Sequence, residues 1–188
     1  MDAPPEPYRP DPADRDDLAR IGAGDATGFE SLFTRHWEPV VRAAFRVAGG
    51  DDAARDAAQE AFIRLHRRPP APDVPIRAWL CRVAVNSASN EARGGLRRVA
   101  REMRARADGD ADATGIAEAN LRAERELVRE ALMALPERAR EVLVLRAEGF
   151  RYHEIAAATG ISPGSIGTML VRAERAFREA FLQRRGGA

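Results

Sequence analysis

The chain of 188 residues contains no lysine, one cysteine and no long apolar run. Since no stretch reaches about 18 apolar residues, we expect no membrane insertion. The single cysteine, Cys81, excludes an internal disulfide, and its apolar neighbours predict a buried, inert thiol. The three histidines, at positions 36, 66 and 153, lie far apart and have no partner cysteines, so we expect no metal site.

The distribution of charge is more informative than its total. All 30 basic residues are arginine, and 29 acidic residues leave a net charge of +1. We attribute the absence of lysine to a GC-rich coding bias. Residues 1–17 are rich in aspartate and proline, whereas residues 93–106 are densely basic, so a near-neutral total hides a basic surface suited to nucleic acid. The start of the chain shows no secretion signal, which predicts a cytoplasmic protein.

Apolar residues recur at three- and four-residue spacing, and no strand-like alternation is present, which predicts an all-α fold of two small helical domains. Gly94-Gly95 is expected to interrupt the third helix. The predicted divisions are a disordered acidic, proline-rich tail (1–20), a first domain of three to four helices (21–106), a flexible acidic linker (107–117) and a second helical domain (118–188).

The clearest local pattern is a break between two helices within residues 150–181. Gly160 can adopt the left-handed conformation that ends a helix, Ser162 is a good N-cap, and Pro163 suits the first helical position. This pattern is typical of a helix-turn-helix, whose second helix enters the DNA major groove. On these residues alone, an ordinary helical hairpin remains the alternative.

Four segments, taken in order, resemble motifs of one family. They are Asp-Ala-Ala-Gln-Glu-Ala-Phe from Asp56, Arg-Ala-Trp-Leu-Cys-Arg-Val-Ala-Val-Asn from Arg77, the Leu-Pro segment 132–142, and the recognition element 154–173. With these segments the chain resembles an extracytoplasmic-function sigma factor, the minimal two-domain group of the sigma-70 family, over roughly residues 25–181. The resemblance implies a region 2-like and a region 4-like domain in a non-enzymatic, cofactor-free subunit that directs core RNA polymerase to promoters.

The resemblance also implies contacts for each domain. Asp56, Gln59 and Glu60 would bind the β′ clamp helices of the polymerase, although composition alone favours a solvated face there. The region 4-like domain would contact the β flap. An anti-sigma factor is a further implied partner, and the acidic linker would either occupy a basic groove of the polymerase or act as a simple tether.

For the −10 promoter element, the resemblance implies that single-stranded bases are held by the third helix and by the loop 67–75 before it. Asn86 and Asn90 would bond base edges, and the alternative for Asn86 is a bond to neighbouring backbone. Three arginines would follow the phosphates: Arg93, Arg97 and Arg98.

For the −35 element, the implied contacts are Ser165, Thr168, Arg172 and Arg175. The chain departs from the family pattern nearby, because Gly167, Met169 and Glu174 stand where relatives usually carry basic residues. Fewer phosphate contacts predict weaker −35 binding with a shallower salt dependence.

Two other functions remain as alternatives. A sigma-like mimic would capture an anti-sigma factor without loading polymerase, and the altered recognition helix favours it. A dimeric helix-turn-helix repressor is disfavoured because it leaves the first domain unexplained. No nucleophile–base pair or phosphate-binding glycine loop indicates an enzyme.

Overall fold

The computed structural model describes the backbone of residues 11–102 and 116–186, and the side chains of residues 11–94 and 120–186. Within these ranges the chain forms helices and no strand, which confirms the predicted all-α class. The helices are α1 (Pro12–Gly22), α2 (Ala26–Phe45), α3 (Asp51–Arg67), α4 (Ile76–Glu102), α5 (Ile116–Ala134), α6 (Glu137–Ala147), α7 (Tyr152–Thr159) and α8 (Pro163–Gly186).

Helices α2, α3 and α4 pack together as the core of the first region. The carboxylate of Asp25 caps α2 by accepting the Thr27 N–H at 2.9 Å. Leu32, Phe62 and Leu80, one from each helix, are buried in this core. The apolar periodicity of three helices therefore sets the relative orientation of their polar faces.

Helix α1 corrects the prediction of a disordered tail over residues 1–20. Asp11 accepts the Ala13 N–H at 2.9 Å and Pro12 takes the first helical position, a favourable helix start. α1 packs on α2 with Leu18 buried. Residues 1–10 of the predicted tail lie outside the described residues.

Two buried carboxylates anchor α1 to α2. Asp14 accepts a hydrogen bond from the guanidinium of Arg35 and lies 2.8 Å from His36 Nε2, while Asp17 accepts from Arg35 at 3.0 Å and from the Ser31 hydroxyl at 2.7 Å. Burial alone would raise the pKa of Asp14, but the hydrogen bonds and charges of His36 and Arg35 outweigh it and hold that pKa below its ordinary value. The acidic composition of this segment therefore does not prevent folding, because its two buried carboxylates are paired.

The prediction that Gly94-Gly95 interrupts the third helix is also wrong, since α4 continues to Glu102. Glycine weakens a helix by up to about 1 kcal/mol relative to alanine, but it keeps both backbone hydrogen-bonding groups, so the helical ladder can continue through it. Residues 107–115 of the predicted linker lie outside the described residues. Helix α5 begins at Ile116, two residues before the predicted domain start.

Helices α5 to α8 form the second region, in which α8 packs against each of the other three. Gly160 ends α7 in the left-handed conformation with φ of 70°, and α8 begins at Pro163. Ile155, Ile166 and Leu170 are buried between α7 and α8. The predicted helix–turn–helix geometry is confirmed.

Helix α4 joins the two regions by packing against both α6 and α7. None of the helices in the described part of the chain has the length and apolarity needed to cross a membrane. The molecule thus presents its polar faces around two contacting helical cores.

Candidate nucleic-acid interface

One face of α3 carries the residues predicted to bind polymerase. Gln59 and Glu60 lie three and four positions after Asp56, so helical geometry places both of them beside it. Asp56 and Gln59 are exposed, and Glu60 is half-buried with its carboxylate 2.9 Å from the Nε of Arg64. Two of the three side chains are therefore open to a partner.

The face of α4 predicted to read single-stranded bases is only partly open. Asn90 is exposed, but Asn86 is half-buried and its amide donates a hydrogen bond to the Glu141 carboxylate of α6. The Asn86 Oδ1 is buried with no hydrogen-bond partner among the described residues. The Asn86 amide is therefore neither free to bond a base nor bonded to neighbouring backbone.

The arginines of this predicted −10 surface fall into two groups. Arg93 is half-buried and lies close enough to Arg140 of α6 for their charges to interact. The backbone of Arg97 and Arg98 belongs to α4, but their side chains lie outside the described residues. Their phosphate contacts stay predictions.

The charged residues that α6 turns inward were not predicted from the sequence. Arg140 is fully buried and donates from Nη1 to the Leu135 carbonyl at 3.2 Å. Burial, and then the charge of Arg93, lower the pKa of Arg140 against the opposing effect of Glu137 and Glu141. The available signal was spacing, since Arg140 lies four positions before the buried Val144 and is therefore on the same face.

The C-terminal end of α3 borders a cavity of about 490 Å³. Its lining includes Phe29, His66 and Arg67, which combine aromatic surface with positive charge. The Phe29 ring also packs edge-on against the His66 ring, with the ring centroids 5.6 Å apart. Aromatic surface beside a cation is the chemistry that holds unstacked bases, and it lies at the start of the predicted base-capturing loop.

Helix α8 aligns the four residues predicted to contact the −35 element. These residues are Ser165, Thr168, Arg172 and Arg175, each three or four positions after the one before, and all four are exposed. We call them the recognition stripe, or the stripe on α8. The Nε of Arg175 donates to Glu179 at 2.8 Å. A groove of about 490 Å³ runs between the first three of these residues and the start of α6.

Two of the three residues that depart from the family pattern face the rest of the second region. Met169 packs against the hydrophobic core, and a Cβ at Gly167 would lie 3.6 Å from the Tyr152 ring. Glu174, in contrast, is exposed. At positions 167 and 169, packing of α8 against the rest of the second region therefore replaces the basic charge that relatives usually carry.

Comparison with known families covers both regions. The family described as "Sigma-70 region 2" matches residues 32–102, and the family described as "Sigma-70, region 4" matches residues 125–177. The RNA polymerase sigma-H factor of Pseudomonas aeruginosa is 30% identical over 175 residues, which cover 87% of this chain and 91% of that protein. The ECF RNA polymerase sigma factor SigM of Mycobacterium tuberculosis is 28% identical over 165 residues, covering 86% and 81%.

A solved structure shows the same arrangement of helices. CnrH, in complex with the cytosolic domain of CnrY, superposes with a TM-score of 0.61 at 27% identity, covering 92% of this chain and 98% of CnrH. A helical region joined to a second one that carries a helix-turn-helix is the architecture of a DNA-binding transcription regulator. The chain belongs to the sigma-70 family as an extracytoplasmic-function RNA polymerase sigma factor, which recognises promoters together with core polymerase.

Proposed function

We propose that this sigma factor is a dissociable, non-catalytic subunit that acts in the cytoplasm through three separate surfaces, one on each of α3, α4 and α8. The proposal is carried by one observation: the polar face of α3 and the stripe on α8 are exposed in the same molecule. The predicted domain division at 21–106 and 118–188 belongs to the same proposal, except that the first domain is extended to include α1 (Pro12–Gly22).

The α3 face binds the β′ clamp helices in this proposal. The Asp56 carboxylate and the Gln59 amide are exposed hydrogen-bonding groups with no partner in the described part of the chain. A charge-assisted bond from an arginine of the partner to such a carboxylate is stronger than a neutral one. The face is therefore suited to a basic helical surface.

The α4 surface and the loop beside it hold the single-stranded −10 element. Asn90 is exposed for a base edge, and the cavity lined by Phe29, His66 and Arg67 accommodates an unstacked base. The arginines at 93, 97 and 98 neutralise the phosphates in this proposal. Asn86 joins them after its bond to Glu141 is broken.

The α8 stripe reads the −35 element in duplex DNA, while the second region contacts the β flap. Arg172 and Arg175 are exposed, but no basic residue stands at 167, 169 or 174. Each phosphate contact adds to the affinity for DNA and to its salt dependence. With few such contacts, the −35 element contributes little to promoter affinity in this proposal. An anti-sigma partner is proposed by analogy with CnrH, which was solved with the cytosolic domain of CnrY.

Three single substitutions test the three surfaces separately. Gln59→Ala should weaken binding to core polymerase. Asn90→Ala should impair strand opening but not binding to core polymerase. Arg172→Ala should weaken the binding free energy by about 1–3 kcal/mol at one −35 position if Arg172 reads a base. Co-purification with core polymerase measures the effect of Gln59→Ala, and permanganate footprinting of the open complex measures that of Asn90→Ala. Competition between duplex −35 variants measures the effect of Arg172→Ala.

Matched controls come from exposed positions outside the three surfaces. Gln183→Ala and Arg185→Ala, near the end of α8, should leave all three measurements unchanged. Recovery of an anti-sigma protein but no polymerase subunits by the wild-type chain would support the sigma-like mimic and contradict the proposal.

A further inference from the structure

The most exposed of the large apolar side chains among the described residues lies on the recognition helix α8. Val171 is 68% exposed, and Leu182, near the end of the same helix, follows with 57%. Single apolar residues on a protein surface are ordinary, so exposure alone assigns no role to either side chain. The position of Val171 on α8 is what distinguishes it from Leu182.

Val171 borders the recognition stripe. It lies three positions after Thr168 and four before Arg175, so helical geometry places it beside both of them. The buried residues Ile166 and Ala173 lie on the other side of the helix. Because the second helix of a helix-turn-helix enters the DNA major groove, Val171 is presented to that groove together with the stripe.

Two glycines leave the surface in front of Val171 open. Helical side chains lean towards the N-terminus of their helix, so Val171 points over the turn that contains Gly167. A Cβ at Gly167 would contact only the Tyr152 ring, at 3.6 Å, and a Cβ at Gly164 would have no neighbour within 4 Å. A backbone without side chains can approach a ligand closely. The methyl groups of Val171 can therefore reach the edges of the bases.

The charges around Val171 favour a base over a phosphate as its contact. Arg172 and Glu174 are both exposed, and the Glu174 carboxylate repels a phosphate. The Nε of Arg175 is already bonded to Glu179 at 2.8 Å. An apolar side chain makes a favourable contact only with an apolar group. In the major groove, the apolar group that a base presents is the C5-methyl of thymine.

We infer that Val171 reads the C5-methyl group of a thymine in the −35 duplex, an inference that rests on the proposed function and adds a specificity residue to the four of the stripe. The contact removes apolar surface from water and releases no counterions from the DNA. It therefore gives α8 a means of recognising sequence that does not need basic residues at positions 167, 169 and 174.

The probe for this contact is uracil, which pairs with adenine as thymine does but lacks the methyl group. Duplexes are built on a start site mapped with the wild-type chain, with the −35 segment randomised and containing either thymine or uracil. Core polymerase carrying the full-length chain selects from each pool, and the bound duplexes are sequenced. The wild-type chain should enrich thymine at one −35 position and show no enrichment of uracil there. Val171→Ala should enrich neither.

Competition binding at the enriched position measures the contact directly. Replacing that thymine by uracil should weaken binding of the wild-type complex about fourfold, the effect of one methyl-sized group. The ratio should be the same at low and high salt, because no phosphate contact changes. Val171→Ala should bind the two duplexes equally, whereas Val171→Ile, which keeps a branched apolar side chain, should retain the discrimination.

Two further variants serve as controls. Leu182→Ala removes an exposed apolar side chain of α8 outside the stripe and should discriminate thymine from uracil as the wild type does. Thr168→Ser removes the other methyl group beside Val171 but keeps the hydroxyl, and it should also retain the discrimination. Co-purification of Val171→Ala with core polymerase should be unchanged, which excludes misfolding as the cause of its loss.

Equal binding of the thymine and uracil duplexes by the wild-type complex would refute the inference. So would discrimination that is lost in Thr168→Ser but kept in Val171→Ala, because the methyl contact would then belong to Thr168. A wild-type chain that yields no start sites with core polymerase would overturn the proposed function, and this inference with it. That failure is distinguishable because it occurs before any uracil duplex or Val171 variant is used.

Discussion

Individual charged residues determine how the second region meets the first. Glu141 accepts from Asn86 of α4, and the neighbouring Arg140 is fully buried beside Arg93. Burying a charge is unfavourable unless it is paired, so these positions are sensitive to substitution. Specific polar contacts such as the bond from Asn86 to Glu141 thus lie between the regions.

Gly167 provides a prediction about a single residue of the recognition helix. Gly167→Ala should raise the free energy of unfolding by about 0.5–1 kcal/mol, since alanine favours helix and its Cβ would make ordinary contact, at 3.6 Å, with Tyr152. Thermal unfolding monitored by circular dichroism measures the change. Gly164→Ala, in the first turn of α8 with no atom near its Cβ, is the control and should have a smaller effect. A lower melting temperature for Gly167→Ala would contradict this packing.

Roles of single residues were only partly predictable from the sequence. The spacing of Ser165, Thr168 and Arg172 placed them correctly on one exposed face, because helical geometry is local. The partner of Asn86 was not predictable, since Glu141 lies 55 positions away and only tertiary packing brings the two together. Residue types therefore indicated which groups are polar, but not which of them are covered.

At the scale of elements, α1 shows how composition can mislead. The segment is acidic and contains proline, yet Asp11 and Pro12 form a good helix start and the buried carboxylates have partners on α2. The helix-turn-helix, by contrast, was predictable because Gly160 and Pro163 define its boundaries locally. Elements with local signals were recognised, and the element stabilised by distant ion pairs was not.

The anchoring of α1 predicts a specific dependence on pH. Asp14→Asn should lower the free energy of unfolding by about 2 kcal/mol near pH 5, because it removes the charge that accepts from Arg35 and His36. The folded pKa of Asp14 lies below its ordinary 3.8, so the stabilisation is complete above that value and is lost as the pH falls through the folded pKa. The difference between wild type and variant should therefore shrink on acidification.

Urea unfolding at a series of pH values from about 5 down to about 2.5 measures this difference. Asp16→Asn, at an exposed position on the same helix, is the control and should show little difference at any of these pH values. A difference between wild type and Asp14→Asn that grew on acidification would mean that the carboxyl is not held ionised by Arg35 and His36.

At the scale of the whole molecule, the order of the motifs predicted two helical regions but not their contact. Glu148 accepts from Arg42, 106 positions away, and from Arg46, 102 positions away, so no local pattern relates them. The contact also holds Asn86 against Glu141 of α6, while Asp56 and Gln59 on α3 stay exposed.

The most direct test of the central claim is transcription from a genomic DNA library with purified core polymerase and the full-length chain, followed by mapping of the RNA 5′ ends. The account predicts a limited set of start sites that share −10 and −35 sequences and appear only when the chain is added. The same set without the chain, or tight binding of promoter duplex by the chain in the absence of polymerase, would contradict it.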